Sequence, residues 1–429
     1  MSHPSHPSVE VLIIGGGQAG LSASYHLSRQ GIHDQVILEK NRTFHSWREE
    51  RWDSFCLVTP NFQCRLPGHP YDGEDPEGFM TRGEIVAYLE RFATLVEAPV
   101  HEGVAVEEVL PQEKGFLVRT SAGSWWAHSV ICAIGAHHTP ILPPGTDRIP
   151  GSIRPFFATE YRNPDQMPPH GAIAVVGSGQ SGCQIAEDLH RAGREVHLFL
   201  GNAPRSPRRY RGKDAVTWLE EMGYYETTFA ELDDPEKALH GTNHYLSGRD
   251  GGKEIDLRAF AREGLRLHGY LEEITATGFR NRPDAAAKLD AADRSYLGIR
   301  QRIDDYVARA GIDAPVEPPY EPCWHPPADE PTFLPFAESG LSAVIWCIGF
   351  RPSFPFLPPG ATDARGHPRQ QRGISPLPGL YFLGLPWQHT WGSARFSGVS
   401  ADAAFLAEAI TQKRQTIPRR ESASALSYF

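Results

Sequence analysis

Closely paired cysteines are absent from this sequence of 429 residues, which has six cysteines and no C-x-x-C spacing. A secreted chain held together by disulfides is therefore not expected. The cysteine pattern instead predicts a reducing, cytoplasmic location. The redox cysteine pair of a disulfide reductase is missing too, and Cys56 and Cys64, eight positions apart, are the nearest approach to one. No metal site is predicted, because the adjacent His137 and His138 point apart in an extended chain.

Long apolar runs and an excess of positive charge are also missing. No stretch approaches the ~18 apolar residues that span a bilayer, so no membrane segment is predicted. The chain has 42 basic and 52 acidic residues, a formal net charge of −10, which argues against a general nucleic-acid binder. Its 40% hydrophobic and 22% charged residues are typical of a globular protein with two or three compact units.

The sequence does contain a glycine-rich turn between an apolar strand and a helix. GGGQAG at residues 15–20 follows the apolar run VLII and has the form G-x-G-x-x-G. Gly15 permits the tight turn, Gly17 lets a pyrophosphate approach the backbone, and Gly20 lets the helix pack close to the strand. Glu39 ends a second apolar strand, 24 positions after Gly15, where a carboxylate can bind a ribose hydroxyl. The stretch predicts a dinucleotide site.

The same arrangement occurs a second time. GSGQSG at residues 177–182 follows the apolar run AIAVV and precedes a helix and another apolar strand. Gly201 stands where the first unit has an acid, and four arginines follow within ten residues: Arg205, Arg208, Arg209 and Arg211. A missing acid with nearby arginines favours a ribose carrying a 2′-phosphate, hence NADP over NAD, with a basic solvated loop as the alternative. Two unlike sites predict an α/β protein with two Rossmann-like domains.

These motifs resemble those of class B flavin-dependent monooxygenases, which include flavin-containing, N-hydroxylating and Baeyer–Villiger enzymes. The similarity covers nearly the whole chain and includes HSWR at residues 45–48, LVTPN at 57–61 and WCIGFRP at 346–352. Within the family, the chain is similar to bacterial flavoproteins that contain the motifs GLYFLGLPW and PRRYRGKD. These motifs lie here at residues 379–387 and 207–214. The resemblance implies FAD in the first site, NADPH in the second, and a C4a-(hydro)peroxyflavin that oxygenates a small molecule at nitrogen, sulfur or a carbonyl carbon.

The resemblance also assigns residues to the cofactors. It places Gly15, Gly17, Gly20, Glu39 and Trp47 on FAD, and Gly177, Gly179, Gly182, Arg208 and Arg209 on NADPH. Further predicted cofactor contacts lie in or near the same motifs: Gln18, Ala19, Lys40, Arg48, Thr59, Gln180, Ser181, Gly349, Gly384 and Val399. Val399 opens a helix whose positive end either faces the flavin or belongs to an ordinary α/β helix. Asn61 is either a turn former or a catalytic polar group beside the reactive ring.

Two positions depart from the family pattern. The fingerprint F-x-G-x-x-x-H-x-x-x-[FWY] falls near residues 151–161, where Phe157 or Pro155, depending on the register, replaces the histidine. Ile348 replaces the threonine of the A-T-G-[FY] strand. Both departures bear on oxygenation and leave cofactor binding intact. Two alternatives therefore stay open: an NADPH-dependent flavin reductase or dehydrogenase without oxygen transfer, and an NADPH-responsive redox-sensing binding protein.

The domain organisation follows from the order of the two sites, with the NADPH domain inserted in the FAD domain. The predicted segments are a tail at 1–8, the first part of the FAD domain at 9–165, the NADPH domain at 166–340 with a helical and irregular insertion at about 211–335, the second part of the FAD domain at 341–415, and a tail at 416–429. A small antiparallel sheet is expected in the first part. The expected partners are a small-molecule substrate and O2, and a homodimer is a further expectation.

Overall fold

The computed structural model describes residues 6–416, so most of the two predicted tails lies outside the described residues. Their predicted bounds are corrected at Ser8, which begins a strand, and at Thr416, which ends a helix. The helices of the described part are α1 Gln18–Arg29, α2 His45–Glu49, α3 Arg82–Val96, α4 Gln180–Arg191, α5 Ala215–Glu221, α6 Pro235–His240, α7 Leu257–Arg262, α8 Ala285–Ala310 and α9 Val399–Thr416. Its strands are β1 Ser8–Ile14, β2 Gln35–Glu39, β3 Arg65–Leu66, β4 His69–Pro70, β5 Val100–Glu102, β6 Val106–Gln112, β7 Gly115–Thr120, β8 Gly123–Cys132, β9 Thr139–Pro140, β10 Arg154–Phe157, β11 Ala172–Val176, β12 Val196–Phe199, β13 Arg209–Tyr210, β14 Lys213–Asp214, β15 Arg266–His268, β16 Leu271–Ile274, β17 Gly278–Asn281, β18 Phe333–Pro335, β19 Leu341–Trp346, β20 Phe350–Arg351 and β21 Leu380–Phe382.

The first sheet is built around β1, which pairs in parallel with β2 on one side and β8 on the other. Strands β5 and β21 extend the parallel part, and the path of the sheet is β5-β2-β1-β8-β7-β6. Strands β6, β7 and β8 form an antiparallel meander. The predicted small antiparallel sheet is therefore continuous with the parallel one, because the ten-residue β8 serves both.

Helices α1, α3 and α9 cover one face of the first sheet with an apolar core. Leu27 of α1, Tyr88 of α3 and Leu406 of α9 are all fully buried there. Helix α3 begins with a capping box, in which the Thr81 hydroxyl accepts the N–H of Glu84 and the Glu84 carboxylate accepts the N–H of Thr81. No helix within residues 6–416 combines the length and the apolar character needed to cross a bilayer.

The second sheet has five parallel strands in the order β10-β19-β11-β12-β15. Its composition corrects the predicted domain boundaries, because β19 lies beside β11, with Ile345 opposite Val175, rather than in the first sheet. Strand β10, placed by the sequence in the first part of the FAD domain, pairs with β19. An apolar run indicates a buried strand but carries no information about which of two similar sheets receives it. The crossings between the domains therefore fall between β9 and β10 and after β19.

The insertion is dominated by the 26-residue α8. Ile299 and Ile303 of this helix pack on the buried Trp218 of α5, and Tyr296 is buried as well. Tyr306 is partly buried against Trp218. The helix forms because apolar side chains recur every three to four positions along an otherwise charged sequence.

Asp188 of α4 joins the two domains. Its carboxylate accepts from Ser54 Oγ of the first domain at 2.8 Å, from the Tyr161 hydroxyl at 2.7 Å and from Arg249 Nη1 at 2.6 Å. Tyr161 is the one aromatic that survives from the family fingerprint, so the fingerprint region has a structural role here. A buried carboxylate with three donors is fully satisfied, and its removal would leave all three unpaired.

Candidate active site

The first glycine turn is shaped as the sequence predicts. Gly15 has φ +107°, and a Cβ at Gly20 would collide with the Gly15 carbonyl oxygen, so both positions require glycine. A Cβ at Gly17 would meet nothing within 4 Å, which leaves open space above the loop. Helix α1 starts directly after Gly17 without a side-chain cap, so its first N–H groups are free to bind a pyrophosphate.

Glu39 lies beside this turn at the end of β2. Its Oε2 accepts the N–H of Gly16 at 2.8 Å, and its Oε1 accepts the N–H of Asn41 at 2.8 Å. Each carboxylate oxygen retains a lone pair, so a ribose hydroxyl can still be bound. Lys40 is exposed next to it. These residues fit FAD, and the ribose contact itself stays a prediction.

Gly384 brings the segment after β21 against the same helix. It has φ +82°, and a Cβ there would lie 2.9 Å from Cβ of Ala19. Gly349 has φ +98°, and its carbonyl accepts the N–H of Ile141 at 3.0 Å, where the chain crosses between the domains. Both glycines are explained by backbone conformation, and Gly384 also by close approach to α1.

The second glycine turn repeats the geometry. Gly177 has φ +102°, and a Cβ at Gly182 would collide with the Gly177 carbonyl oxygen. Gln180 and Ser181 begin α4, which follows Gly179 without a side-chain cap. Gly201 lies beside this loop, donating its N–H to Ser178 Oγ at 2.9 Å. The second loop therefore fits a dinucleotide, and Gly201, the position that the sequence predicts for the ribose, lies next to that loop.

Arg208 is not presented to a phosphate, contrary to the sequence prediction. Its side chain is 2% exposed; Nη2 donates to Asp214 Oδ1 at 2.8 Å and Nη1 to the Val58 carbonyl at 2.7 Å. Arg209 is exposed, and its Nη2 donates to the Gly251 carbonyl at 3.2 Å. A run of arginines in the sequence does not reveal the acceptors that the fold brings to them, and here the acceptors are internal.

The other two arginines of the run are also bound internally. Arg205 is buried among carboxylates, and Arg211 pairs through Nε with a carboxylate at 2.9 Å; their acidic partners are Glu254, Asp256, Asp293 and Asp304. The charges of Arg205, Arg208 and Arg211 are therefore compensated by acids within the protein. The basic-loop alternative describes Arg209 alone, because Arg205 and Arg208 are buried and Arg211 is half-buried.

Lys288 occupies the place where the sequence expected an arginine. Its Nζ donates to Oδ1 of Asn202, the residue after Gly201. The ring of Tyr270, whose residue is 45% exposed, lies 5.5 Å from the same Nζ. An ammonium, an amide and an exposed ring thus meet next to Gly201, the position that the sequence predicts for the ribose, and Oδ2 of Asp284 lies 3.7 Å from the same Nζ. No sequence signal near the glycine motif points to Lys288, because it comes from α8 of the insertion.

The two glycine loops open onto one cavity of about 240 Å³. Gln18 from the first loop and Gln180 from the second both line it, together with the aromatic residues Trp47, Phe55, Tyr224, Tyr225, Trp391 and Phe396. Among the described residues, 6–416, neither a carboxylate nor a cysteine belongs to its lining. The cavity combines an apolar wall with a few polar groups, which is typical of small-molecule sites.

Two predicted FAD contacts, Trp47 and Arg48, are adjacent in sequence but separate in the structure. Trp47 lines the cavity, donates Nε1–H to Gln18 Oε1 at 3.3 Å and stacks on Phe396. Arg48 turns away, with Nη2 2.7 Å from Glu90 Oε1, so its predicted cofactor contact is unsupported. The two side chains reach different surfaces because adjacent residues of a helix point in different directions. Thr59, a further predicted contact, does line the cavity.

Asn61 proves to be a turn former. It is 3% exposed, donates through Nδ2 to the Asp75 carbonyl at 2.9 Å and accepts the Met80 N–H at Oδ1 at 2.7 Å. Gln63 lines the cavity instead, donating Nε2–H to Glu220 Oε2 at 3.0 Å. Its Oε1 has no hydrogen-bond partner within residues 6–416. The sequence identified the correct turn but not the residue that reaches the cavity.

Val399 is also explained by packing. Its side chain is fully buried in the first core, and its N–H donates to the Arg395 carbonyl at 3.0 Å. A direct cofactor contact through either group is therefore excluded in this conformation, and the ordinary-helix alternative fits better.

The comparisons with known proteins agree with this architecture. Residues 12–295 match the family described as pyridine nucleotide-disulphide oxidoreductase. A Geobacillus kaustophilus protein, named "Uncharacterized oxidoreductase CzcO-like", is 30% identical over 400 residues, covering 93% of this chain and 97% of that protein. The Baeyer-Villiger monooxygenase of Streptomyces coelicolor is 28% identical over 316 residues, covering 70% of this chain and 54% of that enzyme.

A solved structure shows the same fold. It is a variant of the flavin monooxygenase from Stenotrophomonas maltophilia, with TM-score 0.66 and 21% identity, covering 95% of this chain and 99% of that one. The predicted two-domain α/β fold and the resemblance to flavin monooxygenases are thereby confirmed. The chain belongs to the pyridine nucleotide-disulphide oxidoreductase family.

Proposed function

We propose that this protein is an FAD- and NADPH-dependent monooxygenase that acts on a small molecule and uses O2. The observation that carries the proposal is the shared cavity, which receives Gln18 from the first glycine loop and Gln180 from the second. FAD, when bound, accepts a hydride from NADPH and activates O2, so the reactive ends of both cofactors must meet at one place. A single cavity between the two loops supplies that place.

The residues of this chain bind and orient the cofactors. The free N–H groups at the start of α1 and α4 fit the two pyrophosphates, and Glu39 fits the ribose next to the first. Lys288 and Asn202 replace the arginines as candidates for the 2′-phosphate. The aromatic walls of the cavity exclude water, which strengthens every polar contact inside it.

The cysteines of this chain favour oxygen transfer over disulfide reduction. All six are free, and none of them lines the cavity. Burial raises the pKa of the Cys64 thiol to about 12, so it remains protonated and unreactive at neutral pH. The relatives named as monooxygenases agree with this choice over the reductase and sensor alternatives.

The test measures where the oxygen comes from. The FAD-loaded protein is reduced anaerobically with NADPH and then mixed with ¹⁸O2 and one of six compounds: thioanisole, phenylacetone, benzylamine, or their carboxylate counterparts (phenylthio)acetate, 3-benzoylpropionate and phenylglycine. We expect reduction of the flavin and one labelled oxygen atom in at least one product. Product without label would select the dehydrogenase, and reduction with no product from any of the six compounds would contradict oxygen transfer.

A cytoplasmic location and a homodimer stay predictions. The first is supported by the free thiols of all six cysteines. Light scattering on the purified protein tests the second, since a monomeric mass of 47.5 kDa would contradict it.

A further inference from the structure

The cavity is positively charged in a protein whose net charge is negative. The chain carries 52 acidic and 42 basic residues, yet the cavity lining, as far as residues 6–416 form it, contains Arg302 and Arg395 and not one Asp or Glu. A guanidinium taken out of water loses hydration energy and normally recovers it from a carboxylate. An arginine without one, facing a ligand cavity, therefore offers its charge to the ligand.

Arg395 is the deeper of the two, and its partners within residues 6–416 are neutral. Its Nη1 donates to the carbonyl of Trp391, its Nη2 donates to Asn243 Oδ1 at 3.0 Å, and its guanidinium lies 4.0 Å from the centre of the Trp391 ring. Burial lowers the pKa of Arg395 to about 10, so it is still charged at neutral pH. Its second Nη2 hydrogen is not used by these contacts, since each Nη carries two.

Two arginines that are less exposed to solvent than the half-buried Arg395 behave differently. Arg208 pairs with Asp214, and Arg258 has Nε 2.8 Å from Asp293 Oδ2, at 2% and 1% side-chain exposure respectively. The fold therefore compensates these buried guanidinium groups with carboxylates and does not do so for Arg395.

Further cationic side chains raise the electrostatic potential around the same cavity. Arg302 is an exposed residue of the lining, and its guanidinium lies 5.9 Å from the centre of the Tyr224 ring. His244, also in the lining, is kept neutral because burial, followed by the nearby charge of Arg302, lowers its pKa to about 4. Arg51 lies behind the aromatic wall, 5.2 Å from the ring of Trp47. A neutral substrate gains nothing from this field, whereas an anion is attracted by it.

We propose that Arg395 binds the carboxylate of the substrate, so that the substrates of this enzyme are small aryl-bearing carboxylic acids. The proposal rests on the proposed function and adds the substrate class. The carboxylate is assigned because the guanidinium has no carboxylate partner within residues 6–416 and retains an N–H at Nη2 that can be donated to an anion. The aryl group is assigned from the rings of Tyr225, Trp391 and Phe396 that form the wall beside it.

The test compares two ligands of equal shape and different charge. Phenylacetate and phenylacetamide are titrated into the FAD-loaded protein without NADPH or O2, and binding is followed by calorimetry and by the flavin absorbance. We expect the wild type to bind the acid at least tenfold more tightly than the amide. Arg395→Gln should bring this ratio close to one, and Arg395→Lys should retain part of it.

Two further variants separate charge from folding. Asn243→Asp places a carboxylate beside Arg395 without removing the arginine, and it should also abolish the preference for the acid. Arg119→Gln breaks a surface pair with Glu108 on the antiparallel meander, and the ratio should not change. The FAD content of each variant is measured first, so that loss of structure is recognised separately.

NADP⁺ binding distinguishes a substrate site from a cofactor phosphate site. The affinity for NADP⁺ should stay within twofold of the wild type in Arg395→Gln. A tenfold loss of NADP⁺ affinity with an intact acid-to-amide ratio would overturn the proposal, and so would equal binding of acid and amide by the wild type. Because neither measurement involves oxygen transfer, a failure of the monooxygenase assignment would be seen only in the ¹⁸O2 experiment.

Discussion

Arg208 and Asp214 form an ion pair that is almost completely buried, with Nη2 2.8 Å from Oδ1 and side-chain exposures of 2% and 4%. Asp214 also caps α5 by accepting the N–H of Val216 at 2.8 Å. The remaining Nη of the arginine donates to the carbonyl of Val58, a residue of the first domain. The pair therefore connects the start of the insertion to the first domain.

Replacing Arg208 should destabilise the protein without changing its choice of coenzyme. Arg208→Ala leaves the Asp214 carboxylate buried and unpaired, so we expect the free energy of unfolding to fall by about 3–5 kcal/mol. The NADPH-to-NADH preference should stay as in the wild type. Urea denaturation and steady-state kinetics measure the two effects. In the exposed Arg209→Ala control, we expect a change of at most about 0.5 kcal/mol; a selective rise in the NADPH KM of Arg208→Ala would restore the arginine run as the phosphate site.

Lys288 should determine the preference for NADPH. Lys288→Ala removes the ammonium next to Asn202, and loss of one charged hydrogen bond raises the NADPH KM by about tenfold or more. The NADH KM should not change, because NADH lacks the 2′-phosphate. Lys114→Ala, in the β6–β7 turn of the other domain, serves as the matched control. Equal changes in both KM values would place Lys288 outside the coenzyme site.

Glu39 should be needed to retain FAD. Glu39→Ala removes the acceptor for the Gly16 N–H and for the ribose, so we expect FAD affinity to fall by about tenfold or more. The flavin-to-protein absorbance ratio after gel filtration measures the loss. Glu108→Ala, which breaks only the surface pair with Arg119, should retain the wild-type ratio. Full flavin content in Glu39→Ala would show that the carboxylate does not bind the ribose.

Acid should destabilise the second domain through a buried histidine pair. Nδ1 of His197 lies 2.8 Å from Nε2 of His268, and burial lowers the pKa of His197 to about 4 and that of His268 to about 3. The unfolded chain binds protons near pH 6.5, so stability is complete above that pH and is lost as the pH falls towards the folded-state values. At pH 5 we expect a loss on the order of 2 kcal/mol for each histidine.

The pH slope of the unfolding free energy, measured between pH 7.5 and 5, checks this prediction. His268→Leu should flatten the slope even if it lowers the stability at neutral pH, because one titrating group is gone. His128→Leu, at an exposed position of β8, should leave the slope unchanged. The same slope in His268→Leu as in the wild type would assign the acid sensitivity to other groups.

Local features of this protein could be predicted from the sequence, and features that join distant segments could not. The glycine turns and Glu39 follow from residues within a few tens of positions, so strand, turn and helix were all recognisable. The partners of Arg208 and the position of Lys288 depend on how the insertion folds back on the domain. Strand β19 shows the same limit, because its apolar residues fit either parallel sheet and only the topology decides between them.

The contacts of Asp188 with Ser54, Tyr161 and Arg249 have a consequence for turnover. A reaction cycle in which one nucleotide domain swings away from the other would have to break these bonds, and the Arg208–Val58 bond with them, at every cycle. The geometry instead favours a reaction cycle during which the two domains keep one fixed arrangement. Ligand exchange then involves the segments around the half-buried Tyr224 and the exposed Asn243, both of which line the cavity.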